Sequence, residues 1–179
     1  MNETSIIGLL SDAREVYSAL GNARKALVLV DSALQKAPER VDALNLKAAI
    51  LYDLDRDAEA MAYHQQVLAI QPSSVEALHG MAAIANDAGD YTGALAWTDK
   101  GLRSIPEDTD PEFLENEDFR QRLTAELYNE RAFALWYLGR KPEAIYLLTE
   151  EGPAMCPMEV ETLEDELAWL EGHPHAPDA

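Results

Sequence analysis

The stretch Leu20–Pro38, LGNARKALVLVDSALQKAP, ends on a proline that returns at a fixed interval: Pro38, Pro72 and Pro106 stand 34 residues apart. An alanine sits twelve residues before each proline (Ala26, Ala60, Ala94), and a turn residue five before each alanine (Gly21, Asp55, Gly89). Three features with one period mark a repeat. A fourth, partial copy, Leu138-Gly139 followed by Ala144, keeps the turn-to-alanine spacing. Inside the stretch Ala26, Leu27, Val30, Ala33 and Leu34 recur at spacings of three and four, one face of a helix. Pro38 closes that helix because it lacks an amide and restricts the residue before it. Such a chain is all-α, a stack of helical hairpins whose apolar faces only a neighbour can cover.

Upstream, Ile6, Leu9, Leu10, Ala13, Val16, Tyr17 and Leu20 give the first hairpin its other helix. The period places hairpins at about 7–38, 41–72 and 75–106, and then breaks. Aligning Gly139 with Gly89 starts the fourth hairpin near residue 125, at about 125–152, and leaves an insert at about 107–124. Thr109, Asp110 and Pro111 are helix-start residues, and Phe119, Leu123 and Leu127 follow at intervals of four. The insert therefore reads as a short helical turn feeding an elongated first helix of hairpin four, or as a piece folded back over the stack. After Lys141 no lysine or arginine remains and ten acidic residues follow. Val160, Leu163, Leu167 and Leu170 predict a helix over about 158–171 that caps the last hairpin, with a proline-punctuated tail at 172–179. The whole, 1–179, reads as one domain.

The charge narrows the partners. With 33 acidic and 14 basic residues the chain carries −19 at neutral pH, which repels phosphate backbones and anionic membranes. A basic or neutral protein partner is expected, with no nucleic acid and no membrane. The start MNETSIIGLLSDAR holds only the short apolar stretch IIGLL, so neither a signal peptide nor a membrane span is expected, and the single Cys156 implies no oxidising compartment. A cytoplasmic location is the expectation.

These residues resemble the tetratricopeptide repeat, a 34-residue helix-turn-helix family, over nearly the whole chain. In that family small residues at repeat positions 8 and 20 let the two helices of a hairpin approach. A small residue at 27 admits the next hairpin, and proline at 32 ends the unit. Position 20 is Ala26, Ala60, Ala94 and Ala144; position 8 is Arg14, Ala48, Ala82 and Ala132; position 27 is Ala33, Val67, Gly101 and Glu151; position 32 is Pro38, Pro72, Pro106 and Cys156. Arg14 and the Glu151, Gly152, Cys156 group depart from the pattern, as terminal repeats do. The resemblance implies a right-handed superhelical solenoid whose first helices line a concave groove for a peptide. Carried over, the groove would hold Asp12 and Glu15; Asp42, Asn45, Tyr52 and Asp53; Glu76, His79, Asn86 and Asp87; and Glu126, Asn129, Phe133, Trp136 and Tyr137. It would be acidic with an aromatic end: the asparagines suited to peptide backbone, the aromatic group to an apolar anchor, the carboxylates to steering a basic segment. The same residues also fit a solvated acidic face and aromatic packing.

One subgroup of the family clamps a terminal carboxylate with lysine, asparagine and arginine. Here Ser11, Glu15, Leu46, Glu76 and Gly80 stand at those places, so chaperone-tail recognition is not expected. Chemistry is sparse elsewhere. His64 reads as a packed structural histidine, His173 and His175 lack a metal framework, and no phosphate loop, nucleophile elbow or paired-histidine motif appears. Acids rather than bases surround Cys156, so it does not read as a nucleophile. No catalytic residue, metal or cofactor is expected. The sequence points to a noncatalytic interaction adaptor, with a self-assembling scaffold, joined through the solenoid ends or the insert as a homo-oligomer, as the alternative. An enzyme or metal protein is the weakest reading.

Overall fold

Four residues in the left-handed backbone region shape the hairpins. In the computed structural model, which describes residues 3–148, Gly21, Asp55, Gly89 and Gly139 have φ of 59°, 56°, 75° and 76°. Each ends the first helix of a pair by turning the following N–H back onto that helix's last carbonyls. Arg56 N–H donates to Leu51 C=O (3.0 Å), Asp90 to Ala85 (2.8 Å) and Arg140 to Leu135 (2.9 Å), each five residues back. The first turn holds one residue more: Asn22 N–H reaches six back, to Val16 C=O at 3.1 Å. That extra residue shifts everything before it by one.

The described residues form α1 (Glu3–Ser18), α2 (Ala23–Lys36), α3 (Val41–Tyr52), α4 (Asp57–Ile70), α5 (Val75–Asp87), α6 (Tyr91–Ser104), a 3₁₀ turn (Ile105–Glu107), α7 (Pro111–Glu115), α8 (Glu117–Tyr137) and α9 (Lys141–Tyr146). No strand occurs among them. Side chains cap four starts by accepting a backbone N–H: Asn22 from Lys25 (3.1 Å), Ser74 from Ala77 (3.4 Å), Asp90 from Gly93 (2.9 Å) and Asn116 from Phe119 (3.0 Å). The pairs α1/α2, α3/α4, α5/α6 and α8/α9 stack in order into an all-α solenoid.

Alanines make the contacts between paired helices. Ala26, Ala60, Ala94 and Ala144 are fully buried, as are Ala48, Ala82 and Ala132 opposite them. In the first hairpin the register differs from the sequence reading. The fully buried small residue is Ala13, not Arg14, because the longer turn moves α1 by one position. Gly101 lets the next hairpin close in, since a methyl group there would collide with Leu127 of α8.

The insert is held at two points. Asp108, only 4% exposed, accepts hydrogen bonds from Val75 N–H (2.7 Å), Asp110 N–H (2.8 Å) and the Gln71 side chain (2.5 Å), which ties the insert to the start of α5. Phe113 of α7 is buried with Val75, Leu123 and Leu127. From there α8 runs 21 residues, against 12 to 16 for α1 to α6. The expected capping helix and tail lie outside the described residues.

Backbone conformation and capping can each be probed by one substitution. Gly89→Ala places a Cβ in the left-handed region and lowers stability by about 1–2 kcal/mol, whereas Asp55→Gly, which removes one, does not lower it; urea unfolding reads both. Asp108→Asn turns an amide N–H₂ toward backbone donors and costs about 1–3 kcal/mol in the same assay.

Candidate interaction groove

The first helices α1, α3 and α5 share one concave side, and the N-terminal half of α8 lies across it. Together they enclose a cavity of about 410 Å³. Its wall is largely apolar: Leu46 and Ala49 from α3, Ala83 from α5, Phe119 and Leu123 from α8. Polar groups enter from Arg14, Tyr17 and Ser18 of α1, Tyr52 of α3, Glu76 and His79 of α5, Arg122 and Glu126 of α8, and His64 of α4. The insert thus both lengthens the first helix of hairpin four and brings it over the groove. Arg122 pairs with Glu126 (3.2 Å) and lies over the Phe119 ring (5.4 Å).

The predicted carboxylates and asparagines connect successive hairpins. Tyr17 O–H donates to Asp53, and Tyr52 O–H donates to Asp87, so one rung recurs from hairpin to hairpin. Burial, and after it the bonded carboxylate, raises both phenols well above their ordinary pKa. Tyr17 is read from sequence as part of the apolar face of the first helix and is absent from the predicted groove because the extra turn residue shifts α1. With the shift corrected, it stands where Tyr52 stands in hairpin two. Asn45, 1% exposed, donates to Glu76 (2.9 Å), and Asn86, 4% exposed, donates to the Glu130 carboxylate (2.6 Å) and carbonyl (2.9 Å). These asparagines hold helices together and are not exposed to peptide backbone.

The remaining predicted residues do not line the cavity. Asp12 and Glu15 are exposed on α1 and do not line the cavity, the consequence of the one-residue shift. Asp42 is bound by Arg40 (2.8 Å), which also reaches Glu3. Asn129 is half-buried on α8. The aromatic end is mostly packing: Trp136 is 4% exposed among Ala132, Leu135, Ala144 and Leu148. Tyr137 stacks on Tyr91 of α6 (4.9 Å between ring centres) and meets Phe133 at 4.6 Å.

Two histidines meet the groove floor. Burial lowers the His64 pKa to about 4, with His79 a lesser cause. It lowers His79 likewise to about 4, with the Arg122 charge second. His79 stands 3.9 Å from both Glu126 and Glu130, too far for hydrogen bonds. No group of three or more metal-ligating side chains occurs among the described residues, and no helix there is long and apolar enough to cross a membrane.

A histidine held neutral in the fold takes up a proton more readily when unfolded. The contribution of His64 is therefore complete above its unfolded pKa of 6.5 and is lost as pH falls through that value toward about 4. The expected loss is on the order of 3 kcal/mol. His64→Phe flattens the fall in melting temperature over that window, leaving the part due to His79.

Residues 40–71 match the tetratricopeptide repeat family model, which spans hairpin two. No curated protein matches the chain in sequence. Solved structures with the same fold include MamA, at 14% identity and a TM-score of 0.57, covering 86% of this chain and 87% of that one. A thermophilic tetratricopeptide protein of Thermus thermophilus aligns at 18% identity and 0.52, covering 94% and 100%. A tetratricopeptide repeat protein of Parabacteroides merdae aligns at 18% and 0.54, covering 98% and 81%. At such identities the likeness is one of fold. One repeat, residues 40–71, matches the tetratricopeptide model in sequence, and the period, turns and alanine contacts recur through the stack, so the fold is that of a tetratricopeptide repeat solenoid.

Proposed function

We propose that the protein is a noncatalytic adaptor of the cytoplasm that holds a segment of a basic or neutral partner protein in its concave groove, without metal or cofactor. The observation that carries this reading is the cavity under α8: an apolar wall of Leu46, Ala49, Ala83, Phe119 and Leu123 beside fixed carboxylates. Asp53 and Asp87 are exposed, and each accepts one phenol. A carboxylate has about four lone-pair sites, so the tyrosines orient these groups and leave capacity for a cation. The net charge of −19 draws a basic segment toward them and disfavours nucleic acid and anionic membranes. The apolar wall supplies the binding energy that exposed charges do not.

A second reading, assembly of copies into a homo-oligomer, is favoured by apolar side chains left open on the first hairpin and the insert. Ile7 is 52% exposed, Val28 63% and Leu114 54%. In that case light scattering gives a dimer or larger species that Val28→Lys dissolves. The adaptor reading expects a monomer.

The adaptor is tested by affinity capture from lysate of the source organism, comparing the native chain with Ala49→Arg, which fills the groove. The expected result is a partner retained by the native chain, lost from the variant at unchanged helicity, and released as salt rises, because exposed charges are screened within about 8 Å at physiological ionic strength. Retention of the same partners by both chains would remove the groove from the account.

A further inference from the structure

Gly80 lies on α5 at the cavity floor, and a methyl group in its place would collide with the imidazole of His64. His64 comes from α4, a second helix, and it is the one cavity-lining residue, among those described, that does. The ring therefore fills the space a side chain at residue 80 would take and forms part of the groove floor. His64 is 3% exposed, and its Nδ1 is buried without a hydrogen-bond partner among the described residues. A phenylalanine ring would fill the same space without that unpaired polar atom. The ring edge that faces Gly80 is the one carrying Nε2, so it is this nitrogen, not the buried Nδ1, that the imidazole offers to the cavity among Leu46, Ala83, Phe119 and Leu123.

The size of the site limits its occupant. A helix about 10 Å across does not fit a cavity of about 410 Å³, which lies near the lower end of ligand-site volumes. One aromatic side chain with its backbone does. Resting on the groove reading above, we infer that this cavity is an anchor pocket for a tyrosine side chain of a basic partner segment, its ring against Phe119 and the aliphatic wall and its hydroxyl hydrogen-bonded to His64. A phenol both donates and accepts, so it suits either tautomer of the imidazole, whereas an indole only donates. Lysine or arginine beside that tyrosine meets Glu126 in the lining, and Asp53 and Asp87, which are bonded to the lining residues Tyr17 and Tyr52.

The test uses three probes on the full chain, read by nuclear magnetic resonance: acetyl-Lys-Tyr-Lys-amide, acetyl-Lys-Phe-Lys-amide and acetyl-Glu-Tyr-Glu-amide. The first is expected to shift the His64 imidazole and Phe119 resonances. The second binds roughly five- to tenfold more weakly, the value of one neutral hydrogen bond, and the third leaves them unmoved. His64→Phe brings the tyrosine peptide down to the affinity of the phenylalanine peptide and leaves the latter unchanged. Should that variant not fold, the comparison of the first two peptides on the native chain decides alone. Equal affinity of those two, an unmoved His64 resonance, or no binding of any probe overturns the anchor. Equal affinities that Ala49→Arg abolishes overturn the anchor and leave the groove reading standing; if no probe binds, the lysate capture judges the groove by itself.

Discussion

The close approach of paired helices at alanine is the contact on which the rest depends. Ala26, Ala60, Ala94 and Ala144 carry no exposed surface, and Ala48, Ala82 and Ala132 face them likewise. A side chain this small lets backbones come near enough for larger neighbours such as Leu44, Ile50, Leu51 and Leu78 to interdigitate around the contact, and each of these is almost wholly buried. Because the contact recurs at one interval, the hairpins stack in order and the first helices fall on one side. The groove is a by-product of that regularity.

The insert breaks the regularity where it changes the surface most. Asp108 ties it back to Val75, and Phe113 enters the core beside Leu123 and Leu127. The extra length of α8 packs Leu123 against the cluster holding Val75 of α5 and Leu102 of α6, and lines the concave side with Phe119 and Arg122. The rungs between hairpins record the change. Tyr17 to Asp53 and Tyr52 to Asp87 repeat one geometry, but Asn86 reaches Glu130, seven residues before Tyr137, which is the counterpart of Asp87 in the repeat. An open channel becomes a half-covered pocket, and phenol and amide donors from the neighbouring hairpin stabilise the groove carboxylates.

Much of the fold was legible because it is written in small residues and turn residues, which have few substitutes. The 34-residue interval, the left-handed turn positions and the buried alanines all follow from steric limits that sequence displays directly. The groove was less legible. A single extra residue before Asn22 moved Asp12 and Glu15 out of register and hid Tyr17, since α1 has apolar residues at enough positions to suit either register. Asn45 and Asn86 sit on the first-helix face, but their burial depends on Glu76 and Glu130 one hairpin away, a distance over which local pattern is silent. His64 reads as a packing residue until Gly80 is seen beside it. The alternation of Phe133, Trp136 and Tyr137 marks an aromatic cluster, but only Tyr91 of α6 shows that the cluster faces inward.

The central claim, that the concave side holds the partner, is tested most directly by photocrosslinking in cells of the source organism. A benzophenone amino acid is placed in turn at Ala49, in the groove wall, and at Ala62, exposed on α4. The account predicts a crosslink from position 49 to a different protein and none from position 62. A crosslink from position 62 alone, or from position 49 only to another copy of this chain, would contradict it.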